Sequence, residues 1–186
     1  MLLTLPNILT LLRIGLIPCF VLVYYLPFER AHLCAALLFT VAAITDWLDG
    51  YLARRLNQTS KLGAFLDPVA DKLMVAVVLV VLLEAHHSLW LVAPAAVIIG
   101  REIAVSALRE WMAEIGARRK IAVSQLGKIK TALQMIALPL MIVAGSDDVP
   151  PLVDVIAMVM LYAATIMTLW SMLAYLRLAW PDLRES

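Results

Sequence analysis

Two acidic segments interrupt an otherwise strongly apolar chain: residues 46–54 read DWLDGYLAR, and residues 63–72 read GAFLDPVADK. The first segment closes one apolar run, and the second opens the next. Hydrophobic residues make up 63% of the 186-residue chain, and the mean hydropathy is +0.92. A soluble domain of this size has too much surface to hide so many apolar side chains. The composition therefore predicts a membrane protein whose acidic side chains face a partner or a cavity inside it.

Six apolar runs divide the chain, each near the roughly 20 residues that cross a bilayer as a helix. Because the connections are short, we predict a single domain over residues 1–186. The fold class is predicted to be all-α, a polytopic membrane protein with six transmembrane helices in a bundle. Pro6 and Asn7 suit a helix start, so residues 3–13 are expected to begin as an interfacial helix. The predicted spans are residues 8–27, 32–53, 67–84, 89–109, 122–144 and 151–176.

The distribution of basic residues predicts the orientation of the bundle. The loops after spans three and five, residues 84–88 and 145–148, contain no Lys or Arg. The loops after spans two and four and the C-terminal tail are basic, and basic loops stay in the cytoplasm. Both termini and the acidic segments are therefore predicted to be cytoplasmic, with Arg30 in the first loop as an exception. The residues that set this orientation are Arg54, Arg55, Lys61, Arg109, Arg118, Arg119, Lys120, Arg177 and Arg184.

Helical spacing places the key residues of each acidic segment on one face. In the first segment they follow the pattern i, i+3, i+4, i+7, i+8, and in the second they recur every fourth position. Two antiparallel helices with a short connection can set these faces against each other, gathering four carboxylates near the cytoplasmic surface. The residues concerned are Asp46, Asp49, Gly50, Ala53 and Arg54 in the first segment, and Gly63, Asp67 and Asp71 in the second.

Four neighbouring carboxylates repel one another unless a cation offsets their charge. Oxygen-only ligands suit hard divalent ions such as Mg²⁺ or Mn²⁺. Inserting each Asp at membrane depth also costs about 2.5–3.5 kcal/mol on insertion scales. Such residues are therefore expected to serve a function or to bind an ion. A metal site is therefore predicted at the four aspartates. Gly50 and Gly63 permit either close helix packing or the approach of a ligand to the backbone.

These eight positions resemble, without substitution, the signature of the CDP-alcohol phosphotransferase family, D-x2-D-G-x2-A-R-x8-G-x3-D-x3-D. Three further segments are similar to bacterial members whose acceptor is sn-glycerol 3-phosphate. They are PNILTLLR at residues 6–13, GREI at 100–103 and GKIKT at 127–131.

The resemblance implies transfer of the phosphatidyl group of CDP-diacylglycerol to an alcohol, with release of CMP. It implies two divalent cations, Mg²⁺ or Mn²⁺, on Asp46, Asp49, Asp67 and Asp71, with Asp71 also the catalytic base. It further implies a homodimer in the bacterial inner membrane, among membrane lipids. No nucleic acid partner is expected. The residues implied to bind CDP-diacylglycerol are Asp49, Gly50, Ala53, Arg54 and Gly63.

The acceptor is predicted to be sn-glycerol 3-phosphate, whose phosphate needs cations. Arg101 and Arg109 lie two helical turns apart in span four, and Lys128 and Lys130 open span five. Arg and Lys are common phosphate ligands, although the same residues can also anchor a helix at the cytoplasmic surface. Inositol phosphate, phosphatidylglycerol and serine remain alternative acceptors.

A cation transporter is the alternative from a different functional class. Transporters usually place their polar sites near the midplane and contain repeated or broken helices. Here the acidic residues gather at the cytoplasmic ends of the spans, and the sequence contains no evident repeat. An enzyme is therefore the favoured interpretation.

Overall fold

The computed structural model describes residues 5–55, 61–115, 125–146 and 148–185. Throughout these ranges the regular structure is α-helical, which confirms the all-α prediction. Four helices after the first extend beyond their predicted spans. The second and fourth do so by a few residues, the third begins within the loop after span two, and the sixth continues far into the tail. The helices are α1 (Leu5–Tyr25), α2 (Ala31–Arg55), α3 (Lys61–His86), α4 (Leu89–Glu114), α5 (Gln125–Ala144) and α6 (Pro151–Glu185).

Helix length and hydropathy agree with a polytopic membrane protein. Even the shortest helix, α5 with 20 residues, is about 30 Å long, which matches the hydrocarbon core of a bilayer. Within the described ranges, three helices contain long apolar windows: Asn7–Tyr25, Leu89–Glu114 and Pro151–Trp180. Shorter apolar stretches cover Ala31–Asp46 and Ile129–Ala144.

The first helix packs against both helices that carry the aspartates. Among the described residues, α1 packs along both α2 and α3, and α2 and α3 also contact each other. On the other side of the bundle, α5 packs between α2 and α6, and α4 packs against α6 and α3. The two acidic helices thus contact each other as well as α1, and the meeting of all four carboxylates between them stays a prediction. Carboxylates on facing helices need donors or cations between them, and α1 supplies these.

Large apolar side chains fill the centre of the bundle and also cover its outside. Phe20, Phe39 and Leu79 are almost completely buried. In contrast, Leu89 is 86% exposed and Trp90 is 75% exposed. Exposed apolar side chains carry no penalty in lipid, so an apolar exterior is the expected surface of a membrane bundle.

The predicted interfacial segment is not a separate helix from Leu5 onward. It forms the first turns of α1 without a break. Three of its polar residues, Asn7, Thr10 and Arg13, are at most 1% exposed. All three lie in the interior of the bundle, and Thr10 and Arg13 have carboxylate partners there.

Candidate active site

Three of the four signature aspartates approach one another near the start of α3. Asp46 lies on α2, and Asp67 and Asp71 lie one turn apart on α3; all three are half-buried. Asp46 is near enough to repel both α3 carboxylates electrostatically. The structure thus brings together side chains that are 21 and 25 positions apart in the sequence. Their role as metal ligands stays a prediction.

Several predicted site residues have side chains outside the described part of the structure. The backbone of α2 runs as a continuous helix through Asp49, Gly50, Ala53 and Arg54, but their side chains are not described. The same holds for Lys128 in the first turn of α5. Gly63, in the first turn of α3, is buried. The donor-binding roles of these residues stay predictions.

Helix α1 contributes two side chains that bind the aspartates directly. The Thr10 hydroxyl donates a hydrogen bond to Oδ1 of Asp67 at 2.5 Å. The Arg13 guanidinium donates to Oδ1 of Asp46, also at 2.5 Å. The Arg13 side chain is only 2% exposed, so it needs a carboxylate partner to stay charged there.

Next to the aspartates lies a cavity of about 190 Å³ in which acidic and basic side chains face each other. Asp71 lines this cavity together with Arg101, Arg109 and Lys130, three of the four predicted phosphate ligands. Arg101 and Lys130 are 8% and 3% exposed, so their side chains lie inside the bundle. The remaining lining residues are Lys72, Val75, Glu102, Thr131, Gln134, Met135 and Tyr175.

One carboxylate connects the two buried cations. Oε1 of Glu102 accepts a hydrogen bond from Lys130 at 2.6 Å and from Arg101 at 2.9 Å. Glu102 itself is half-buried on α4, one position after Arg101. The two positive charges are thus fixed on either side of one negative charge.

Helix α6 also contributes to the lining of this cavity, through Tyr175. The Tyr175 hydroxyl accepts a hydrogen bond from Arg109 at 2.8 Å. The guanidinium carbons of Arg109 and Arg101 lie 5.2 and 5.9 Å from the centre of the Tyr175 ring, within the range of cation–π attraction. Arg101 also donates to the Ser171 hydroxyl at 3.1 Å. Because these contacts hold both arginines, α6 orders the groups that face the cavity.

The aspartate cluster offers carboxylate oxygens, which are the ligands that hard divalent cations such as Mg²⁺ and Mn²⁺ prefer. The cluster is therefore chemically suited to bind such a cation. Among the described side chains, no group of three or more His, Cys, Asp or Glu residues is arranged to hold a metal ion. The side chain of Asp49, the fourth predicted ligand, lies outside that set. Asp46 and Asp67 each use one oxygen for α1, and a carboxylate offers about four lone-pair sites, so both can still bind a cation.

Sequence reasoning missed the site roles of Thr10, Arg13, Glu102, Ser171 and Tyr175. A signal for the first two existed in the spacing of polar residues in an apolar helix: Asn7, Thr10 and Arg13 recur every third position. Ser171 and Tyr175 are four positions apart on α6, which also places them on one face. The partners of such a face could not be read from the sequence, because they come from distant helices.

The model of the CDP-alcohol phosphatidyltransferase family matches residues 3–170 of this chain. The chain therefore belongs to the CDP-alcohol phosphatidyltransferase family, as the signature predicted. Members of this family generally depend on divalent cations.

Curated bacterial proteins are similar along nearly the whole chain. A protein of Sodalis glossinidius (strain morsitans) is 54% identical over 183 residues, covering 98% of both chains. One of Pectobacterium atrosepticum is 54% identical over 180 residues, covering 97% of both. One of Yersinia pestis (strain Pestoides F) is 52% identical over 183 residues, covering 98% of both. All three are named CDP-diacylglycerol–glycerol-3-phosphate 3-phosphatidyltransferase, and this name matches the predicted donor and acceptor.

Proposed function

We propose that this protein transfers the phosphatidyl group of CDP-diacylglycerol to sn-glycerol 3-phosphate, forming phosphatidylglycerophosphate and CMP. The observation that carries the proposal is the shared cavity, in which the predicted base Asp71 faces Arg101, Arg109 and Lys130. The names of the similar bacterial proteins support the same donor and acceptor. The catalytic unit is proposed to be the single domain of residues 1–186.

The acceptor phosphate is proposed to bind among Arg101, Lys130 and Arg109, with Lys128 nearby on α5. Arg101 has five N–H donors and uses one each for Glu102 and Ser171, so others remain for a phosphate. Arginine can grip phosphate through two parallel hydrogen bonds, and lysine adds a point charge. Binding the phosphate at this end of the cavity directs the hydroxyl end of the acceptor toward Asp71.

Asp71 is proposed to accept the proton of the attacking hydroxyl. The hydroxyl oxygen forms a bond to the phosphatidyl phosphorus while the bond between that phosphorus and the oxygen of CMP breaks. The developing negative charge leaves with CMP, and the proton stays on the Asp71 carboxylate until it passes to solvent. Holding both reactants in line supplies several kcal/mol of the rate enhancement.

Asp46, Asp49, Asp67 and Asp71 are proposed to hold two divalent cations, Mg²⁺ or Mn²⁺. When bound, the cations neutralise the charge of the donor pyrophosphate and of the transition state. Asp49, Gly50, Ala53, Arg54 and Gly63 are proposed to bind the CDP part of the donor. Arg54 is the only one of these five with a positive charge, which suits a phosphate contact.

The protein is further proposed to lie in the bacterial inner membrane as a homodimer. The basic loops support an orientation in which both termini and the active site are cytoplasmic. The dimer rests on the family resemblance.

An acceptor panel tests the proposed reaction. Purified protein with CDP-diacylglycerol and Mg²⁺ is given sn-glycerol 3-phosphate, glycerol, serine or inositol phosphate in turn, and CMP release is measured. We expect sn-glycerol 3-phosphate to be the best acceptor. Glycerol and serine have no phosphate to balance the excess positive charge of Arg101, Arg109 and Lys130 over Glu102, and inositol phosphate is bulkier. A hydrogen bond to a charged group contributes about 1.5–3 kcal/mol. Equal rates with glycerol or serine would show that the acceptor assignment is wrong.

A further inference from the structure

We infer that Thr10 and Arg13 are positioning residues that orient the aspartates of the cation site. Each holds a different helix: Thr10 binds Asp67 of α3, and Arg13 binds Asp46 of α2. The inference rests on the proposed function, since it assumes that these aspartates bind divalent cations. It adds a role for α1, which carries none of the proposed ligands.

The two contacts arise from one face of α1. Thr10 and Arg13 are three positions apart, so their side chains project from the same side of the helix. Thr10 is 0% exposed and Arg13 is 1% exposed. Because α1 packs along both α2 and α3 and binds an aspartate of each, it constrains the distance between Asp46 and Asp67.

The chemistry of the two contacts suits a positioning role. Each hydrogen bond reaches a single carboxylate oxygen: Thr10 donates to Oδ1 of Asp67, and Arg13 donates to Oδ1 of Asp46. A bond to one oxygen limits rotation of the carboxylate, and a carboxylate has about four lone-pair sites, so it can accept this bond and still bind a cation. Partners that hydrogen-bond to metal ligands in this way typically change metal affinity 10- to 100-fold when they are removed.

Arg13 has a second effect that Thr10 lacks. Its positive charge offsets repulsion between Asp46 and the carboxylates of α3 before a cation binds, but it also opposes the cation. Replacing Arg13 by a neutral residue would change geometry and charge together. Thr10 therefore provides the cleaner test, since Thr10→Val keeps the shape of the side chain and removes only the hydroxyl.

The experiment measures Mn²⁺ binding to the purified, substrate-free protein by the loss of the electron paramagnetic resonance signal of free Mn²⁺. Thr10→Val is expected to raise the Kd for Mn²⁺ by at least about 10-fold. Thr10→Ser, which restores a hydroxyl, is expected to recover most of the affinity. Arg13→Lys keeps the charge and loses the planar fork, so its Kd should change in the same direction as that of Thr10→Val.

Thr165→Val is the matched control, because the buried Thr165 hydroxyl bonds only to the Leu161 carbonyl of its own helix among the contacts described, at 2.7 Å. Its Kd for Mn²⁺ should equal that of the unmodified protein. In the transfer reaction, Thr10→Val should need more Mg²⁺ for half-maximal rate, whereas the rate at saturating Mg²⁺ should largely recover. A purely structural role would lower the rate at every Mg²⁺ concentration.

Asp67→Asn separates failure of this inference from failure of the proposed function. If Asp67→Asn leaves Mn²⁺ binding unchanged, the proposed cation site is wrong. If Asp67→Asn weakens Mn²⁺ binding but Thr10→Val does not, only the positioning role of Thr10 is overturned. Thr10→Ala serves in the same comparison if Thr10→Val does not fold.

Discussion

Replacing Arg101 by alanine should damage the reaction of sn-glycerol 3-phosphate far more than that of glycerol. Arg101 is 8% exposed and lines the same cavity as Asp71. The Arg101 guanidinium donates hydrogen bonds to Glu102 at 2.9 Å and to Ser171 at 3.1 Å. The side chain is therefore already fixed before a phosphate binds. A preorganised group loses less conformational entropy on binding and therefore contributes more affinity.

The magnitude follows from the hydrogen bonds that a phosphate would lose. A hydrogen bond to a charged group contributes about 1.5–3 kcal/mol, and Arg101 can make two to one phosphate. Because Lys130 remains, we take about 3 kcal/mol as the net loss, which corresponds to about 100-fold in kcat/KM. Ser171→Ala removes only a hydrogen bond that orients Arg101, so about 1 kcal/mol, or roughly fivefold, is expected.

The assay is a cycle of two enzymes and two acceptors. CMP release is measured for the unmodified protein and Arg101→Ala, each with sn-glycerol 3-phosphate and with glycerol, at saturating CDP-diacylglycerol. Arg30→Ala, in the exposed connection between α1 and α2, is the control for loss of a positive charge and should behave as the unmodified protein. The reasoning is refuted if Arg101→Ala slows the reactions of both acceptors equally. It is also refuted if a second series, with CDP-diacylglycerol varied at constant sn-glycerol 3-phosphate, shows that only the KM of the donor is raised.

Three further predictions concern the site and its setting. Asn in place of any of the four signature aspartates should lower the transfer rate at least about 10²-fold in saturating Mg²⁺, and a near-normal rate for any of them would contradict the proposed ligand set. Glu102→Gln removes the negative charge between Arg101 and Lys130 at constant size. The KM for sn-glycerol 3-phosphate should therefore change, while the KM for CDP-diacylglycerol should stay constant. Steady-state kinetics with each substrate varied in turn will measure both constants. Tags at residues 1 and 186 should both resist protease added to spheroplasts, in which the outer membrane has been opened, and cleavage of either would overturn the proposed orientation.

The local features of this protein could be predicted from its sequence alone. Helices were predictable because apolar runs near 20 residues long leave the backbone in lipid no other way to satisfy its hydrogen bonds. The aspartates at 46, 67 and 71 could be expected to meet because the connection between their helices is short. The phosphate-binding character of Arg101 and Lys130 could be inferred because buried cations in a membrane bundle need a partner.

The tertiary structure decided which side chains surround those aspartates. Asp67 is 57 positions from Thr10, and Arg101 is 70 positions from Ser171. The spacing of residues along one helix cannot predict these hydrogen-bonded pairs, because they depend on which helices become neighbours. The sequence suggested that α2 and α3 face each other, and only the structure showed that α1 lies along both and binds a carboxylate of each through a hydroxyl and a guanidinium. The local pattern of apolar and polar residues thus determines the helices and their polar faces. The packing of the helices determines which side chains each polar face contacts.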